Sequence, residues 1–151
     1  MKKSISILTA ICLVVSLSAF SYPGPADENE TVQAFFKTDF ADASSVNWRE
    51  KDGLYFADFT SNNVQMSAAY DENGTLLGSS RIISPSEVPA DLLKRAEGNF
   101  RGGKSASRVV EVTFKGQVSY YFTIVTDKFA IKCVADPDGV ITEDSRVKIQ
   151  K

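Results

Sequence analysis

The sequence predicts an α+β fold: a tandem repeat of one helix plus a four-stranded antiparallel meander, with the helices packed on one face of a curved sheet. Three observations lead there. Apolar residues recur at helical spacing in two stretches, Val32/Phe35/Phe36/Phe40 and Val88/Leu92/Leu93/Ala96. Each stretch is followed by short segments of alternating apolar and polar residues with turn residues between them. The alternation then recurs at an offset of 65 residues.

The offset is read as follows. Val64, Met66, Ala68 and Tyr70 alternate with polar or small residues, and Phe129, Ile131, Cys133 and Ala135 do the same 65 positions later. Asp71 matches Asp136, Gly74 matches Gly139, Leu76 matches Ile141, and Ser80-Arg81-Ile82 matches Ser145-Arg146-Val147, without a gap. Turn chemistry and strand phase coincide, which reads as a duplicated unit. The domain then spans 31–151, with one repeat over about 31–84 and the other over about 85–151.

Residues 1–21 have the three parts of an export signal. Lys2 and Lys3 are the basic start, Ile5 to Leu17 the apolar run, and Ala19 and Ser21 the small residues before a cut after Ser21. The run is shorter than the roughly 20 apolar residues of a spanning helix. Cys12 follows Ile11 inside the run, which is not a lipoprotein arrangement. Residues 22–30 hold two prolines, a glycine and three acids, and read as a flexible lead-in.

A first helix is expected over Thr31–Ala43, with Thr31 as its N-cap. Val46 and Trp48 form a strand before the turn Lys51-Asp52-Gly53, and Tyr55, Ala57 and Phe59 form the core side of the next. A third strand runs to the turn Asp71-x-x-Gly74, and a fourth leaves it. The second helix is expected over Ser86–Asn99 with Pro89 near its start, where a missing N–H costs little. Phe100 takes the part of Phe40. Val110, Val112 and Phe114 then precede the turn Lys115-Gly116, and Val118, Tyr120, Phe122 and Ile124 follow it.

Composition narrows the chemistry. Loss of Lys2 and Lys3 leaves 15 basic and 19 acidic residues, net −4. That balance argues against nucleic acid and against an anionic membrane surface after signal cleavage. The chain has no histidine, so Ser-His-Asp and Cys-His triads are excluded. With Cys12 removed, Cys133 stands alone: no intramolecular disulfide, redox pair or thiolate zinc site follows. Its place after Phe129 and Ile131 points it at the core.

The loops Asp71-Glu72-Asn73-Gly74 and Asp136-Pro137-Asp138-Gly139 faintly resemble calcium loops, but Ile82 and Val147 stand where the twelfth-position Glu belongs. They read as hairpin turns. Arg101-Gly102-Gly103-Lys104 lacks P-loop spacing and reads as the end of the second helix, with Gly102 as C-cap. No pair of carboxylates is singled out for glycoside hydrolysis. Neither a cofactor nor a metal is expected.

The strand face opposite the expected core carries Asn47, Arg49, Phe56 and Asp58 in the first unit. In the second it carries Glu111, Thr113, Ser119, Tyr121, Lys132 and Val134. An aromatic among polar residues on an open sheet suits protein contact, so Arg49, Phe56, Tyr121 and Lys132 are the candidate contact residues. The alternative is that Phe56 and Tyr121 cover sheet area.

Val46-Asn47-Trp48, Asp52-Gly53-Leu54-Tyr55, Tyr70 to Gly74 and Val88-Pro89, with Tyr120-Tyr121-Phe122 and Asp136 to Gly139, resemble the PepSY-like exported proteins of Bacteroidetes. That family is also described as similar to beta-lactamase-inhibitor proteins. The resemblance covers the chain after the signal and rests on turn and core residues. It implies helices behind a curved sheet, and binding or inhibition of an enzyme through the sheet face and its hairpin loops. The expected protein is a periplasmic or secreted, non-enzymatic binding module, an inhibitor or regulator of another exported protein. The alternative is a small-molecule sensor using the cleft between the two repeats.

Overall fold

Two-residue turns set the strand pairing. In the computed structural model, which describes residues 29–149, Asp52-Gly53, Asn62-Asn63 and Lys115-Gly116 each place two successive residues at positive φ (55° and 75°, 48° and 65°, 50° and 76°). This backbone twist matches that of the strands it joins. Lys51 therefore pairs with Leu54, Ser61 with Val64, and Phe114 with Gln117.

The elements in order are α1 (Glu30–Asp39), β1 (Ser44–Lys51), β2 (Leu54–Ser61), β3 (Val64–Tyr70), β4 (Leu76–Ile83), a 3-10 turn (Pro85–Glu87), α2 (Ala90–Asn99), β5 (Lys104–Phe114), β6 (Gln117–Val125), β7 (Phe129–Ala135) and β8 (Ile141–Lys148). The strands belong to one eight-stranded sheet in chain order.

This corrects the expected fold class. The molecule is a single antiparallel sheet with two helices of only ten residues each. It is mostly β, and is not a tandem repeat of helix-plus-four-stranded-meander units with helices on one face of a curved sheet. Alternation and turn residues report which strands pair locally, not where a sheet begins and ends. What the offset of 65 captures is local register: Met66 pairs with Arg81 and Ser67 with Ser80, while Ile131 pairs with Arg146 and Lys132 with Ser145. The signal reading over 1–21, Cys12 and residues 22–28 of the lead-in lie outside the described residues.

The chain forms two compact units that divide between Arg81 and Ile82. In the first, Asn29 rather than Thr31 caps α1: its Oδ1 accepts from the Val32 N–H at 3.1 Å, and its Nδ2 donates to the Glu72 carbonyl at 3.1 Å. The helix ends at Asp39, short of Ala43, because Phe40 leaves helical geometry. Val32 and Phe36 are buried against Ala57, Phe59, Ala68 and Tyr70. The Phe36 ring meets Trp48 and Phe59 edge-on at 5.1 and 5.0 Å, the arrangement aromatic quadrupoles favour. Phe35, expected in the core, is 49 % exposed and lies against Gly74. Tyr70 is fully buried; its hydroxyl donates to Asp39 Oδ2 at 2.9 Å, and burial raises its pKa.

In the second unit Val88, Leu92, Leu93 and Ala96 cover Val109, Phe122, Ile124, Ile131, Cys133 and Ala135. The α-helix starts at Ala90 rather than Ser86. Pro89 holds Val88 extended (φ −81°, ψ 146°), so the preceding residues form a separate 3-10 turn. That turn is closed by the Ser84 N–H donating to Glu87 Oε2 at 2.9 Å.

β5 reverses an expected face. Its register shifts between Ser105 and Val109, and Val109 pairs with Phe122 in the core. Val110 and Val112 then sit opposite Tyr121 and Ser119, away from α2, while Glu111 and Thr113 sit opposite Tyr120 and Val118. Val109 and Val110 are both apolar, so alternation alone leaves the phase of this strand open.

Candidate functional site

On β2, Tyr55, Ala57 and Phe59 face α1, which leaves Phe56 and Asp58 on the other face. Arg49 of β1 and Ala69 of β3 flank Phe56; Asn47 and Ser67 flank Asp58. Arg49 Nε and Nη2 both donate to Asp58 Oδ2, at 3.1 and 2.8 Å, and Ser67 Oγ donates to Asp58 Oδ1 at 2.6 Å. The guanidinium carbon lies 5.8 Å from the centre of the Phe56 ring. Arg49 and Phe56, singled out from the sequence, are thus brought together. Phe56 is only 5 % exposed. The ion pair is half-exposed and worth at most about 1 kcal/mol in water; its main effect is to fix the guanidinium at the ring.

The other two candidate residues are placed by β6 and β7. Tyr121 pairs with Val134 and Val110, and Lys132 pairs with Thr123 and Ser145, all on the face opposite α2. Val112 and Ser119 on this face are buried; Lys132 is exposed. Glu143 and Arg146, by contrast, pair with Cys133 and Ile131 on the α2 side. There Arg146 donates twice to Glu143, at 2.9 and 2.6 Å, and lies 5.3 Å from the Phe129 ring. The hydrogen bond from Arg146 holds the Glu143 carboxyl below its usual pKa. Burial, followed by the nearby Glu143 charge, pushes the Cys133 thiol up to about 11.

The acidic turns use their carboxylates on their own backbone. Asp71 Oδ1 accepts from the Asn73 and Thr75 N–H groups at 2.9 and 2.8 Å. Asp136 Oδ1 accepts from Asp138 and Val140 at 3.0 and 2.8 Å. Among the described residues no group of three or more His, Cys, Asp or Glu side chains gathers to hold a metal, and no helix is long and apolar enough to cross a membrane.

Ser67, Thr123 and Val147 are not among the contact residues expected from the sequence. The signal for Ser67 lies in Asn62-Asn63: a two-residue turn there places Asp58 opposite Ser67.

No family model and no curated protein matches the chain. Solved structures do match in fold. A BLIP-like protein from Bacteroides fragilis NCTC 9343 is similar at TM-score 0.64 and 16 % identity, over 87 % of this chain and 92 % of that one. A DUF2874 family protein from Bacteroides uniformis ATCC 8492 is similar at 0.63 and 23 % identity, over 83 % and 90 %. A candidate periplasmic protein from Bacteroides eggerthii DSM 20697 is similar at 0.62 and 18 % identity, over 86 % and 91 %. The chain therefore has the fold of BLIP-like and DUF2874 family proteins of Bacteroides. None of these three is described by the PepSY name.

Proposed function

We propose that this chain is an exported, periplasmic, non-enzymatic binding module that regulates or inhibits another exported protein. The observation that carries the reading is the fold shared with a BLIP-like protein over nearly the whole of both chains. The description of a third neighbour as a candidate periplasmic protein supports the location. Arg49, Tyr121 and Lys132 are the proposed contact residues, on the sheet faces opposite α1 and α2, with the buried Phe56 ring backing Arg49.

The test has two arms. The exported chain is immobilised and exposed to periplasmic extract of its host at physiological salt. Wild type and the variants Tyr121→Asp and Lys132→Glu are compared. A partner held by wild type and lost by the variants supports the reading; no partner, or equal recovery by all three, counts against it. A panel of periplasmic β-lactamases and peptidases assayed with and without the purified chain tests inhibition directly.

A further inference from the structure

The face of β6, β7 and β8 opposite α2 carries an exposed cation. Lys132 stands at its middle, between Thr123 and Ser145, with the Tyr121–Val134 pair on one side and the Ala130–Val147 pair on the other. Lys132 is exposed, and among the described residues no carboxylate is paired with it. Two acids near this face are directed elsewhere. Glu111 sits opposite Tyr120, and Glu143 sits opposite Cys133 and is tied to Arg146, all on the α2 side. Asp144, the extra residue of the β8 register shift beside Ser145, is exposed and in none of the ion pairs among the described residues. Val147, at 62 %, and Val125, at 40 %, are among the most exposed large apolar side chains.

We infer that this face docks an acidic segment of another protein, one carboxylate meeting the Lys132 ammonium and apolar side chains lying on Val134 and Val147. The inference rests on the binding-module reading and specifies the chemistry of its partner. A cation beside hydroxyl and aliphatic side chains, with no carboxylate paired to it, favours negative charge and penalises a second cation. Hydroxyls of Thr123 and Ser145 lie beside it to accept or donate as the carboxylate requires. A single lysine attracts an anionic membrane by only about 1 kcal/mol, too little to hold it there.

The test is a phage-displayed cyclic-peptide library panned against the exported chain. Enriched peptides are expected to carry Asp or Glu beside an aliphatic or aromatic residue. The best of them, synthesised, should lose about tenfold or more in affinity with Lys132→Glu, a cost of about 1.4 kcal/mol. Val147→Asp should weaken it as well. Lys94→Glu, on the exposed side of α2, should leave it unchanged, and near-UV circular dichroism should show all three variants folded. Peptides without an acidic consensus, or binding lost with Val147→Asp but kept with Lys132→Glu, overturn the acidic partner and leave the binding module standing. Failure to select any peptide sensitive to either substitution overturns both. A dimer in sedimentation that Val147→Asp dissociates makes the occupant a second copy and overturns the inference.

Discussion

Gly74 is constrained twice, and the two constraints separate experimentally. Its φ is +81°, and a Cβ built there would run into the Phe35 ring, with Cε2 at 2.9 Å and Cδ2 closer still. Gly53 has a similar φ of +75° with nothing within 4 Å. Left-handed backbone costs an L-residue about 1–2 kcal/mol, and Gly53→Ala should cost only that. At Gly74 the ring must also turn from its rotamer, at about 0.5–1.5 kcal/mol. Gly74→Ala should therefore destabilise by about 1 kcal/mol more than Gly53→Ala. In a Phe35→Ala background the excess should vanish, giving a coupling energy of about 1 kcal/mol. Urea denaturation followed by the fluorescence of Trp48, the single tryptophan, measures this within the unit concerned. The m-value should stay constant across the set. Equal costs for the two glycines, or a Gly74→Ala cost unchanged by Phe35→Ala, would refute the steric argument.

Other perturbations report on the core and the turns. Phe36→Ala removes the ring between Trp48 and Phe59 and should cost about 3–5 kcal/mol with a red shift of Trp48 emission. Cys133 should resist a thiol reagent at pH 8 until denaturant is added, since the thiol is 1 % exposed and pushed up to about 11. Because its pKa is raised on folding, stability is fully present below the unfolded value and falls as pH rises toward 11; Cys133→Ala should flatten that part of the profile. Asp71 acts in the opposite sense: the Thr75 N–H holds its carboxyl below the usual range. Stability from it is present above the unfolded pKa and lost as pH falls through the folded one, and Asp71→Asn should remove that acid limb.

Much of the local structure was legible because it depends on neighbours in sequence. Asp52-Gly53 and Lys115-Gly116 announce their hairpins, and the core side of β7 follows from Phe129, Ile131 and Cys133. The misread parts depend on something distant. β5 has apolar residues in both phases, and only its pairing with Phe122 selects Val109 for the core. Phe35 matches the helical stripe, yet its ring covers a glycine in a loop 39 positions on rather than the core. The candidate site shows the same division. The presence of Arg49, Phe56, Tyr121 and Lys132 on outward phases was readable; that Ser67 and Asp58 hold Arg49, while no described carboxylate pairs with Lys132, follows from register across strands.

On the proposed binding role, the ends of the sheet favour a face over an edge as the contact surface. β1 and β8 stand at the two ends of the strand order, where unpaired backbone groups invite an added strand. Both are built against it. The β1 register breaks between Ser44 and Asn47, with Ser45 at a φ of 53°, and the strand continues into Arg49, Glu50 and Lys51. The β8 register breaks opposite Lys132 and Cys133, leaving Asp144 unpaired between Glu143 and Arg146. A bulge bends the strand and interrupts the ladder that an incoming strand must follow, and flanking charges oppose its desolvation. Recognition by main-chain hydrogen bonds is thereby disfavoured at both edges. On the proposed binding role, selectivity falls to side chains on the faces, and Lys132→Glu should change which partner fits without touching the backbone pairing that holds the sheet.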